Sequence, residues 1–157
     1  MRSLPLLLGA AAFVLVLLVA LPRCARRPAE PAVRASWTLT PGVLNPDVTQ
    51  WTIRSTICVH GWTRTIRPPS DYTSHLKLEQ MRAYGLGGSP RDFQEDHLIS
   101  LELGGHPTDP RNLWPEPYPR AADVDAIENE LNDAVCSGRM SLDAAQRKES
   151  ALKHEKG

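Results

Sequence analysis

The sequence predicts an α+β fold, and three observations carry that expectation. The run "WTIRSTICVHGWTRTIRPP" (51–69) is dominated by Thr, Ile, Val and Trp, with Gly61 as a turn and Pro68-Pro69 as a stop, which reads as an extended hairpin. The stretch "EDHLISLELGGHPTDPRNLWPEP" (95–117) reads as strand, turn-rich loop, strand. From Ala121 to Cys136, Val124, Ile127, Leu131 and Val135 recur at spacings of three and four, which is an amphipathic helix. The central order is therefore strand, loop, strand, helix, preceded by a further hairpin and helix and followed by a last helix.

Each element has its own local reason. Leu4 to Pro22 is an uncharged apolar run close to the ~20 residues of a membrane span, with Arg2 before it and Arg23, Arg26 and Arg27 after it. Residues 1–25 thus read as a helical signal anchor, with a cleaved signal peptide as the alternative. Neither Ala20 nor Ala25 ends a good cleavage site, because Leu18 and Arg23 stand at the outer recognition position. Residues 26–46 are rich in Pro, Ala and Arg without any period, and read as a linker. Residues 47–157 are long enough for one modest core.

Within that domain, "YTSHLKLEQMRAYG" reads as a helix capped by Thr73 or Ser74, with Leu76, Met81 and Tyr84 inward and Gly85 at its end. Leu98, Ile99, Leu101 and Leu103 read as a short strand broken by Gly104-Gly105. "NLWPEPY" starts a second strand, which its prolines stop. Ser141 caps a final helix to about Lys153, with Leu142, Ala145 and Leu152 inward.

Eighteen basic and eighteen acidic residues give a net charge of zero, but they are unevenly placed. Trp51 to Arg91 carries Arg54, Arg64, Arg67, Lys77, Arg82 and Arg91 against Asp71 and Glu79. Asp92 to Asp133 carries eleven acids against Arg111 and Arg120. The first block suits a polyanion, with Arg64 and Arg67 beside Trp62 as the candidate nucleic-acid contact. The second repels a polyanion unless cations intervene. Trp51, Trp62 and Trp114 read as core rather than as stacking platforms. Cys58 and Cys136 form an even pair once Cys24 is set aside, and read as a disulfide in an oxidising compartment. The arginines after the apolar run favour a cytoplasmic domain. The cysteine pair favours the periplasm or cell surface, and is the stronger argument.

Cutting a phosphodiester requires a base near neutrality and positive charge at the phosphate. Histidine is the natural base, and a hard divalent cation with oxygen ligands supplies the charge. Adjacent strand residues point to opposite faces, so Asp96 and His97 can do separate jobs. "DHLISLELGG…RNL" resembles the HNH, or ββα-metal, endonucleases, which carry an Asp-His pair, a Gly-Gly turn and an Asn-Leu on the second strand. From about Thr49 to Gln146 the chain also resembles a group of small exported bacterial HNH-like proteins. The resemblance implies a ββα-metal core and one Mg²⁺ or similar ion. It implies Asp96 as strand ligand, His97 as general base and Asn112 as the brace that orients it. The helix ligand falls on Asn132, with Glu128, one turn away, in reserve. The Cys-x-x-Cys pairs of many HNH proteins are absent. The leading expectation is a membrane-anchored or exported nuclease. The alternative is a non-catalytic envelope domain on the same fold that binds a protein or cell-wall partner.

Overall fold

The computed structural model describes residues 33–156. The expected helix within 1–25 and the first part of the 26–46 linker lie outside the described residues. Among the described residues the fold is α+β: a two-stranded antiparallel sheet with four helices. No described helix is long and apolar enough to cross a membrane. Strand β1 is Phe93–His97 and β2 is Leu113–Pro117, with Asp96 opposite Trp114 and His97 opposite Leu113. Helix α1 is Trp62–Ile66, α2 is Ser70–Ala83, α3 is Tyr118–Cys136 and α4 is Leu142–Glu155.

The expected first hairpin is absent. Its β-branched residues instead serve a 3-10 turn at Ile53–Ser55 and the short helix α1. Ile53 and Ile57 are buried against Val48, Leu103, Leu131 and Val135, so packing overrides strand propensity. Gly61, at φ 80°, supplies the left-handed turn that starts α1. Trp51, expected in the core, is 93% exposed, whereas Trp114 is fully buried.

The second departure is a shift in β1. The strand ends at His97, and Leu98, Ile99, Leu101 and Leu103 fold into a turn and a 3-10 helix instead. All four are buried, so no face is left for the polar alternation of a half-exposed strand. The Gly-Gly pair closes this turn. A Cβ on Gly105 would sit 1.7 Å from the Ile99 carbonyl oxygen, and Gly104 has φ 78° with Val48 against it. β2, α3 and α4 fall where the sequence predicts them, within about three residues. Helix α2 starts at Ser70, directly after Pro69, rather than at the expected caps Thr73 or Ser74.

Residues 33–46 depart from the linker expectation, because they pack on the domain. Ala35 N–H donates to the Lys153 carbonyl at 3.1 Å, the Thr40 and Tyr84 hydroxyls share a 2.7 Å hydrogen bond, and Leu44 bridges to Gly105. Backbone and side-chain hydrogen bonds hold this segment, so no hydrophobic period marks it in the sequence. Cys58 and Cys136 form a disulfide with Cα atoms 5.5 Å apart, joining the segment before α1 to the end of α3.

Candidate functional site

The end of β1, the loop after it and α3 enclose an open cleft of about 370 Å³. The structure brings Asp96, His97, Glu128 and Arg67 to this cleft, together with Glu95 and Asp125. Asp96 and His97 both border the cleft but meet different partners. Asp96 Oδ2 accepts from Lys153 Nζ at 2.8 Å, whereas the His97 ring meets the Pro107 carbonyl through Nε2 at 3.0 Å. A carbonyl can only accept, so Nε2 carries the hydrogen and Nδ1 carries the lone pair. Nδ1 has no hydrogen-bond partner among the described residues. Burial lowers the His97 pKa, opposed by the Pro107 carbonyl and Asp96, so the ring is neutral at pH 7.

Asn112 is fully buried behind the cleft. Its Oδ1 accepts from Ile99 N–H at 3.0 Å, and its Nδ2 donates to the carbonyls of Ile99 and His106, each at 3.0 Å. His106 precedes Pro107, so Asn112 holds the loop whose carbonyl meets His97. It does not touch the imidazole itself.

The other sequence-predicted residues are dispersed. Asn132 Nδ2 donates to the carbonyls of Glu102 at 2.7 Å and Ile57 at 3.4 Å, which ties α3 to two loops. Arg64 lies against Gly61 and does not line the cleft. Asn129 is exposed and borders the cleft.

Sequence reasoning missed Lys153. Its side chain is 0% exposed, and its ammonium lies 2.6 Å from Glu128 Oε1 and 3.4 Å from Glu149 Oε1. It also donates to the His97 carbonyl at 2.5 Å. Burial alone would lower the Lys153 pKa, but Asp96, Glu128 and Glu149 outweigh it and hold the ammonium charged. Burial pushes the Glu128 carboxyl up to about 9 in spite of Lys153, and pushes Glu149 up too. Glu116, fully buried on β2, is pushed up to about 7 by burial and then by Asp96. One ammonium does not offset this many carboxylates, so the cluster holds protons at neutral pH. A signal for Lys153 existed. Leu142, Ala145, Glu149 and Lys153 share one stripe at helical spacing, and it becomes visible once charged residues are allowed on a buried face.

Glu95 gives a pH prediction. Burial, then Asp96, pushes its carboxyl from 4.5 up to about 8, and neither carboxyl oxygen has a hydrogen-bond partner. Between these two values the unfolded chain releases the proton and the folded protein keeps it. The folded state then binds more protons, so stability falls as pH rises, by at most roughly 1.4 kcal/mol per pH unit. Thermal melts from pH 5 to 8 are expected to show that fall, and Glu95→Gln to flatten it and raise stability at pH 8. Identical slopes in the two proteins would remove Glu95 as the cause.

No family model, no curated protein and no solved structure matches the chain.

Proposed function

We propose that the cleft is a hydrolytic site of the HNH type, acting on phosphodiester bonds of nucleic acid with His97 as general base. One observation carries the reading: the neutral His97 ring has Nε2–H fixed on the Pro107 carbonyl, which leaves the Nδ1 lone pair for a water. Arg67 at the cleft offers the positive charge a phosphate needs. Asn112 braces the loop that carries Pro107. The ββα-metal core belongs to this proposal, and its support is the β1–loop–β2–α3 order.

The divalent ion implied by the resemblance is a poor fit to these residues as they stand. Asp96 and Glu128 converge, but on the Lys153 ammonium, and Asn132 is committed to two backbone carbonyls. Among the described residues, no group of three or more His, Cys, Asp or Glu is arranged to hold a metal. The steps assigned here are therefore those of the chain's own groups. His97 Nδ1 takes a proton from water as its oxygen bonds to phosphorus, the P–O bond to the leaving sugar oxygen breaks, that oxygen takes a proton from solvent, and Arg67 binds the non-bridging phosphate oxygens.

Export with membrane attachment through residues 1–25 is part of the proposal, and the Cys58–Cys136 disulfide supports an oxidising compartment. The second reading, a non-catalytic envelope domain that binds a partner, is favoured by the acidic lining of Glu95, Asp96, Glu102, Asp125 and Glu128. A plasmid-nicking assay of the full chain separates the two. The hydrolytic reading expects nicking that falls about 100-fold or more in His97→Ala. Nicking at the same rate in both proteins defeats it, and no nicking by either leaves the binding domain.

A further inference from the structure

We propose that Lys153 is the resident cation of the carboxyl cluster behind this cleft: its ammonium takes the place a divalent ion would need, so no metal seat is open while it is there, and removing it converts Asp96, Glu128, Glu149 and the His97 carbonyl into a divalent-cation site. An ammonium has three hydrogens to donate. Here they find three acceptors, Asp96 Oδ2 at 2.8 Å, Glu128 Oε1 at 2.6 Å and the His97 carbonyl at 2.5 Å, with Glu149 Oε1 as a fourth oxygen at 3.4 Å. Carboxyl oxygens plus a backbone carbonyl, gathered around one positive charge, make up the ligand chemistry of a hard cation, which displaces the protons the carboxyl groups hold.

The four oxygens come from β1, α3 and α4, so the charge at their centre links the strand that carries Asp96 and His97 to both helices. A metal ion would perform the same link. Glu149 adds an independent sign of a cation seat. Its side chain is 0% exposed, Oε1 accepts from Ser100 N–H at 2.9 Å, and Oε2 has no hydrogen-bond partner.

Lys153 is a positioning residue, not a catalytic one, because its side chain is fully buried and does not line the cleft. It is tied to α4 by a covalent stem, so no free ion competes with it on equal terms: expelling it would leave a buried ammonium without acceptors. The inference does not rest on the hydrolytic reading. Its readouts are cation binding and stability, so it stands or falls apart from any nicking result.

The test uses the full chain, with Mn²⁺ as the probe. Wild type is expected to melt at the same temperature with EDTA or with Mn²⁺. Lys153→Ala, which opens room between the carboxylates, is expected to melt lower and to recover when Mn²⁺ is added. Its Mn²⁺ affinity by calorimetry should exceed that of wild type by about tenfold or more. Adding Glu128→Gln to Lys153→Ala should cancel the gain, which separates this seat from weak binding along the acidic cleft. Lys153→Met keeps the stem packing and is measured beside it. The proposal is overturned if EDTA destabilises wild type, or if both Lys153 variants bind Mn²⁺ no more tightly than wild type. It is also overturned if both stay unfolded with Mn²⁺ present.

Discussion

Asn112→Ala is expected to lower stability by about 3–4 kcal/mol. The side chain is fully buried and serves four backbone groups, the N–H and carbonyl of Ile99, the His106 carbonyl and, at 3.4 Å, Val43 N–H. Alanine leaves them in a dry interior, at roughly 1 kcal/mol or more each. Water has no easy way to replace the amide, because Gly105 packs against the same atoms. Asn112→Asp sharpens the test. It keeps the size and the acceptor but loses both donors, and sets a carboxylate oxygen against the Ile99 and His106 carbonyls. Both variants should also disturb the ring resonances of His97 in NMR spectra, since the loop carrying Pro107 loses its tie. A denaturant midpoint within about 1 kcal/mol of wild type for the alanine variant would show that the brace is dispensable.

Reducing the Cys58–Cys136 disulfide, or replacing both cysteines with serine, is expected to cost about 4.5 kcal/mol. The bond closes a loop of 78 residues, and the chain-entropy relation gives this figure for a loop of that length. The loop contains α1, α2 and both strands, so the whole cleft hangs on it. For a domain of this size the loss is a large share of total stability. The expected result is a strong fall in melting temperature under reductant, matched by the serine double variant. A fall of less than about 1 kcal/mol would mean that the core closes without the bond and that reducing compartments are tolerated.

Much of the site was legible in a few residues of sequence. Asp96-His97 next to Gly104-Gly105, with Asn112 downstream, located the cleft. The role of each glycine is now physical: one supplies a left-handed turn, and the other leaves room that a Cβ would fill. Glu128, held in reserve, is the helix residue that meets Asp96 through Lys153, whereas Asn132 faces two loops. Heptad-like spacing could not separate them, because residues one turn apart lie on the same side of a helix and only the neighbours differ.

Local chemistry set the amphipathic α3, the Ser141 cap of α4, the proline-limited β2 and the pairing of the two cysteines. Those signals reside in adjacent or periodically spaced residues, where the physics is short-range. The extended reading of 51–69 failed because β-branched residues bury equally well in helical turns once a core demands them. Residues 33–46 carry no period, since hydrogen bonds to Tyr84, Leu113 and Lys153 hold them in place. The burial of Lys153 was decided by tertiary structure. The helical stripe of Leu142, Ala145 and Glu149 places Lys153 on the inward face of α4, but a lysine near the end of a helix is ordinarily solvated, and only the convergence of acidic groups and a carbonyl from separate elements makes its burial tolerable.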